Sequence, residues 1–246
     1  MLRGIYTAAS AMGMQMDAVG VFAHNLANAG TTGYKRSELM SQSFPSMMVQ
    51  MGGGGVSPLG LGVGTEAALL DQSQGAMKNT ENPMDVAIEG DGYFSVRKAN
   101  GQPDITRDGA FGLDPQKRLI TRNGDVVLGQ NGQPIQFIEG VAEQIRFQPD
   151  GTITEAGQQI GKLAIVQGKP SSQGLAPALR RYVTTVENGG AIRQPQIRQG
   201  FLEESNVSIV KEMVSLLGSQ KNYDVGQKLI QASDKMLDKV INEMGR

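Results

Sequence analysis

The hydrophobic positions fall into three regimes along the chain. In the first thirty residues they recur at alternating steps of three and four: Leu2, Ile5, Ala9, Met12, Met16, Val19, Ala23 and Leu26. All are apolar, which is the a/d stripe of a helix that packs along a seam. Arg3 and Asp17 are the only formal charges before Lys35, so this helix is expected to be covered on more than one side. Gly13 and Gly20 weaken it by about 1 kcal/mol each but admit a close neighbour. Gly30 supplies a stop. The last forty residues carry a second stripe: Ile209, Met213, Leu216, Gln220, Tyr223, Gln227, Ile230, Asp234, Leu237, Ile241 and Met244. Three of these positions are polar, so the stripe is interrupted. Ser208 is its expected N-cap. Lys211, Glu212, Lys221, Asp224, Lys228, Lys235, Asp238 and Lys239 charge the opposite face. At 1.5 Å per residue the two helices span about 40 and about 50 Å. Neither has a heptad partner in mid-chain, so the ends are expected to pack on each other and on copies of themselves.

Between them the period changes. Residues 33–80 read as an extended connector, with the glycine run Gly52–Gly55 flanked by Met47, Met48 and Met51. Residues 81–204 read as β-rich. Short apolar runs (Val86–Ile88, Tyr93–Val96, Val126–Leu128, Ile135–Ile138, Leu163–Val166) alternate with Asp91-Gly92, Asn100-Gly101, Asp108-Gly109, Asn123-Gly124, Asn131-Gly132 and Asp150-Gly151. Such pairs are hairpin signals. The expected fold class is α+β: residues 1–32 with 205–246 form a coiled-coil-like terminal-helix layer, and a hairpin-built β domain is strung between them.

Composition narrows the function. A net charge of −1 and the lack of a basic run give no footprint for nucleic acid or an anionic membrane. The chain has no cysteine, which removes disulfides and thiolate metal sites. No apolar run is long enough to span a bilayer. Thr7, Ser10, Gln15 and Asp17 interrupt the first apolar run, which therefore reads as structure and not as a cleaved leader. His24 is the single histidine and reads as a packed or capping residue. It lacks the neighbours a catalytic triad requires. Gly62–Ala67 matches the loose pattern G-x-G-x-x-A, but Ser57-Pro58-Leu59-Gly60 is a poor preceding strand. In Gly168-Lys169-Pro170-Ser171, proline stands where a phosphate loop needs Ser or Thr. Asp85, Glu89 and Asp91 read as solvated turn carboxylates, and Met12 and Met16 as adaptable packing. No enzyme, cofactor, metal site or small-molecule substrate is expected.

Four motifs together resemble the flagellar axial family of bacteria, the rod and hook proteins of the basal body. They are Asn25-Leu26-Ala27-Asn28 with Thr32-Gly33-Tyr34-Lys35; Asp85-Val86-Ala87-Ile88-Glu89-Gly90-Asp91-Gly92-Tyr93-Phe94; Thr106-Arg107-Asp108-Gly109-Ala110-Phe111; and Glu204-Ser205-Asn206-Val207 leading into Glu212-Met213-Val214 and Tyr223. In length the chain is similar to the rod proteins. Leu2–Ser10 and Ser43-Phe44-Pro45 are similar to the proximal-rod type, and Gly60–Val63 to the distal-rod type, whose longer connector is shortened here, so the resemblance favours the proximal-rod type with the distal-rod type next.

The resemblance implies a structural subunit of the rod, exported by the flagellar type III apparatus without a cleaved signal peptide. It implies a place in the basal body, across the periplasm or cell-wall zone. Copies of the chain and other rod and axial proteins are the implied partners. The terminal helices would line a hollow drive shaft, the C-terminal one toward the export channel and the N-terminal one in the wall. Residues expected at subunit contacts are the eight N-terminal stripe positions, Asn25 and Asn28, with Ile209, Met213, Leu216, Tyr223, Ile230, Leu237, Ile241 and Met244. The alternative expectation is a β module that binds peptidoglycan or carbohydrate, with helical oligomerisation ends. Its candidate stacking rings are Tyr93, Phe94, Phe111, Phe137, Phe147 and Tyr182.

Overall fold

The computed structural model describes residues 2–43, 47–50, 56–59, 63–170, 186–191 and 196–244. Both terminal stripes are helical: α1 spans Leu2–Ala27 and α2 spans Ile209–Met244. They pack against each other. Asn25, near the end of α1, reaches Glu212 in the first turn of α2, and Met12 faces Gly226, so the pair is antiparallel. At the end of α1 the Asn28 amide donates back to the His24 carbonyl at 2.9 Å, satisfying one of the terminal acceptors. The Glu212 N–H donates to the Ser208 carbonyl at 3.0 Å, which puts Ser208 at the cap position.

After α1 come β1 (Ser37–Ser43), β2 (Met47–Gln50), β3 (Val56–Leu59) and β4 (Val63–Leu70). β1 pairs with β4 and β2 with β3, both antiparallel. The extended segment thus doubles back as a two-stranded arm, and β1 and β4 lie against α1. A strand does precede the G-x-G-x-x-A segment, but the segment itself runs into β4 and not into a helix, so no helix N-terminus faces a phosphate there.

The central domain holds β5 (Met77–Asn79), β6 (Val86–Glu89), β7 (Tyr93–Arg97), β8 (Pro103–Thr106) and β9 (Phe111–Leu113). These are followed by β10 (Leu119–Thr121), β11 (Val126–Val127), β12 (Ile145–Phe147), β13 (Thr152–Glu155) and β14 (Gln158–Lys162). The chain ends its β region with β15 (Ile165–Pro170), β16 (Val186–Ala191), β17 (Gln196–Gln199) and β18 (Phe201–Glu203). The main sheet runs β16-β15-β7-β11-β10-β9, with β8 also on β7, and β12-β13-β14 form a second sheet. The returning strands β17 and β18 pair with β6 and β5. The chain just before α2 is therefore zipped to the chain just after the arm.

The core is the apolar alternation of these strands. Val86, Phe94, Leu119, Val127, Ile145 and Ile153 are fully enclosed, and Phe94 meets Phe111 edge-on with ring centroids 5.0 Å apart. Such side chains contribute about 1.5–3 kcal/mol each on burial. Asn100-Gly101, Asn123-Gly124 and Asp150-Gly151 close hairpins between successive paired strands, and Asn131-Gly132 closes the turn under the Leu128–Pro134 bridge. Asp91-Gly92 and Asp108-Gly109 do not, because β6 pairs with β17 and not with β7, and β8 pairs with β7 while β9 pairs with β10. A Cβ on Gly109 would lie 1.6 Å from the Val86 carbonyl oxygen, so this glycine lets the chain cross beneath β6. Residues 135–138 pair through isolated contacts: Leu119 N–H to the Ile135 carbonyl, Ile135 N–H to the Val127 carbonyl and Phe137 N–H to the Lys117 carbonyl.

Candidate assembly interface

The inward face of α1 is built from Ala18, Val21 and Asn25, all buried. The predicted stripe lies to one side of it. Ile5, Met12, Val19 and Leu26 are half-buried, while Ala9, Met16 and Ala23 are exposed. The Leu2 side chain lies outside the described residues. On α2 the covered positions Glu212, Leu216, Ser219, Tyr223, Gly226, Ile230 and Ser233 again follow steps of four and three, with Ser215 half-buried beside them. Leu216, Tyr223 and Ile230 belong to the predicted stripe. Ile209 and Met213 are exposed, and the Leu237, Ile241 and Met244 side chains lie outside the described residues. The inward seam thus uses Glu212, Ser219, Gly226 and Ser233 in place of the neighbouring Met213, Gln220, Gln227 and Asp234. At Gly226 size explains the choice: a Cβ there would sit 2.6 Å from Met12 Cγ, so a small residue lets the axes approach, whereas Glu212 is turned inward by its polar partners Arg36 and Asn25. Large apolar side chains are left pointing outward. Tyr6 is 74% exposed, Val210 72% and Val214 65%, and Leu217, Val225, Leu229 and Met236 are similar.

Beneath the helix pair lies a buried polar clasp. Glu203 is 2% exposed. It accepts from Lys35 Nζ at 2.6 Å, Arg107 Nε at 2.5 Å and the Gly75 N–H at 2.9 Å. Lys35 also donates to the Ser73 carbonyl at 2.7 Å. Arg107 spends its remaining donors on the carbonyls of Ile88, Gly90 and Gly92, and its guanidinium lies 5.8 Å from the Tyr93 ring centroid. Asp91-Gly92 therefore shapes a loop around an arginine and does not close a hairpin. Asp108 accepts from Thr32 Oγ1 at 2.6 Å, tying the same loop region to the end of α1.

A second layer completes the joint. Glu212 accepts from Arg36 Nε at 2.6 Å and from Asn25 Nδ2 at 3.2 Å. Asn25 imitates a strand neighbour, donating to the Ser37 carbonyl at 2.8 Å and accepting the Ser37 N–H at 2.9 Å. Tyr34 Oη donates to Asn25 Oδ1 at 3.0 Å and meets His24 Nδ1 at 2.8 Å. Asn206 accepts the Arg36 N–H at 2.7 Å and donates to the Asp71 carbonyl at 2.9 Å. Burial pushes the Glu203 carboxyl up, but the donors from Lys35, Arg107 and Gly75 outweigh it, and its pKa falls below the ordinary value. Glu155, at the end of β13, behaves alike. Burial raises it, and the successive N–H groups of Ile138, Gly140 and Glu139 bring it below the ordinary value.

All four motifs singled out in the sequence supply this joint: Asn25, Tyr34 and Lys35; the carbonyls of Ile88, Gly90 and Gly92; Arg107 and Asp108; Asn206 and Glu212. Glu203, its centre, stands one residue outside a motif and carried no signal of its own. Asp85 is buried and accepts from Asn82, so it is not a solvated turn carboxylate. Glu89 is exposed and pairs with Arg198 at 2.7 Å. Tyr93, Phe94, Phe111, Phe137 and Phe147 are buried, which leaves none of these five rings free to stack on a sugar. Tyr182 lies outside the described residues. Among the described residues no three His, Asp or Glu side chains gather as a metal site, and no helix is long and apolar enough to cross a membrane.

Three family models match the chain. Residues 5–35 match "Flagella basal body rod protein", residues 87–155 the "Flagellar hook protein FlgE/F/G D1 domain", and residues 198–243 "Flagellar basal body rod FlgEFG protein C-terminal". The chain is 32% identical to the flagellar basal-body rod protein FlgG of Borreliella burgdorferi, over 96% of this chain and 97% of that one. It is 31% identical to FlgF of Rhizobium meliloti, over 100% and 99%, and 30% identical to FlgG of Bacillus subtilis, over 98% and 99%. Lys35, Arg107 and Glu203 each fall in a different one of the three matched segments.

Proposed function

The chain belongs to the flagellar basal-body rod protein family, of the FlgF and FlgG type, and from that premise we propose that its paired terminal helices are its polymerising element. Copies stack through them into a hollow helical rod that encloses the export channel and carries torque from motor to hook, beside other axial proteins. The carrying observation is the contrast between a closed β core and a helix pair whose outward apolar side chains, Tyr6, Val210, Val214 and Leu217 among them, remain uncovered. Covering each large one contributes about 1.5–3 kcal/mol, available only when another copy is present. A heterologous contact of this kind generates an open filament. The clasp suits the mechanical part, because a load entering the helices passes to the β domain through buried ion pairs and not through a flexible linker. The charged outer positions of α2 favour the channel side, and the nearly uncharged α1 favours the wall. Deleting residues 229–246 tests the reading: the β domain should stay folded while filaments fail to form in electron micrographs. Filaments from the truncated chain would sink it.

A further inference from the structure

The helix pair carries a groove and a ridge on opposite flanks. The groove, about 580 Å³, runs between α1 and α2 past Met16, Val19, Gly20, Gln220, Tyr223 and Asp224. Met16 is 50% exposed in it. The ridge is Val225, Leu229 and Met236 on α2, exposed at 55%, 58% and 59%. At about 100° per residue, Leu229 lies half a turn around α2 from Gln220, and Val225 and Met236 lie about 140° and about 160° from it. No single chain can therefore seat its own ridge in its own groove.

We propose that the occupant of this groove is the Val225–Leu229–Met236 ridge of a second copy of the chain. The inference rests on the assembly reading above and specifies its contact. The groove continues the α1–α2 seam, so a third helix laid in it extends packing that already exists. Its position and chemistry match the ridge: apolar walls from Met16 and Val19, a small floor at Gly20, and Asp224 on the rim. Lys228 and Lys235 lie on the α2 face between groove and ridge, about 80° and about 60° around from Gln220, and none of the lining side chains is basic. Because donor and acceptor surfaces differ, the contact is heterologous and repeats without closing a dimer. The ridge is centred about eight residues further along α2 than the groove. Each added copy is thus displaced along the helix axis by about 12 Å, which turns a side-by-side row into a helical one.

The chain has no cysteine, so disulfide trapping reads this contact cleanly. The full-length chain carrying both Met16→Cys and Leu229→Cys, concentrated until it assembles and mildly oxidised, should give a ladder of linked oligomers. A mixture of the two single variants should stop at dimers, and each single variant alone should stay unlinked. The same ladder should appear in basal bodies from cells carrying the double variant. Assembled particles without a 16–229 bond would overturn the contact and leave polymerisation through the helices standing. Single variants that link to themselves would overturn it in favour of a two-fold interface. Failure of the unsubstituted chain to assemble by its helices would overturn both readings. As a second measurement, Leu229→Lys should abolish assembly without changing the melting temperature of the monomer, and adding Met16→Glu should restore it.

Discussion

Replacing Glu203 by Gln removes one charge from the middle of the clasp and almost no volume. The carboxylate receives Lys35 at 2.6 Å, Arg107 at 2.5 Å and the Gly75 amide at 2.9 Å, in a site where Lys35 is 6% exposed and Arg107 likewise. An amide offers one acceptor oxygen and turns its NH2 toward whichever cation the oxygen does not serve. One cation is left buried without its counter-charge, a defect that costs about 3–5 kcal/mol. In a chain of this size a kilocalorie moves the melting temperature by about 2–4 °C, so the variant should melt about 6–20 °C lower near neutral pH. The Glu203 pKa is depressed in the folded state, so its contribution is complete above the ordinary carboxylate range and is lost as pH falls toward the depressed value. Glutamine has nothing to titrate. Melting curves of the two proteins should therefore converge as the pH is lowered. A shift smaller than about 2 °C at neutral pH, or a gap that widens toward acid, would refute the assignment of a stabilising charge to Glu203.

Three further outcomes are expected. Asn25→Ala leaves the Ser37 amide and carbonyl without their partner, at about 1–3 kcal/mol for each buried group, and should lower the urea midpoint with little change in slope. Gly109→Ala places a methyl within 1.6 Å of a main-chain oxygen and should cost about 4 kcal/mol or more, seen as loss of near-ultraviolet circular dichroism from Tyr93 and Phe94. Gly226→Leu drives a side chain into Met12 and should speed hydrogen exchange of the α1 amides around Met12, with Met12→Ala partly restoring protection.

The two terminal helices were legible because a 3.6-residue period sustained over 26 and 36 positions outweighs local irregularity. Which face of them turns inward was not. The stripe rule favours large apolar residues, and the inward seam of α2 is chosen by smallness at Gly226, a criterion that depends on the partner helix. Hairpin turns at Asn100-Gly101, Asn123-Gly124 and Asp150-Gly151 followed from local chemistry alone. Asp91-Gly92 and Asp108-Gly109 share that chemistry but answer to Arg107, which no local rule sees. The clasp was hidden for the same reason. Lys35, Arg107 and Glu203 are ordinary surface residue types, and only a fold that brings three distant segments together makes them interior.

That distance sets an order of events in time. Lys35 meets Glu203 across 168 residues of chain, and Arg36 meets Glu212 across 176. Contacts between positions so far apart close late, because the entropy of a long loop must be met before they return anything. A chain delivered progressively from either end holds both halves of its lock only after four-fifths of it has emerged. Until then Lys35, Arg36 and Arg107 are hydrated cations with no reason to be interior, and α1 has no α2 to lie on. The joint that stiffens the finished subunit therefore also acts as a clock, keeping the unfinished one pliable until its last segment arrives.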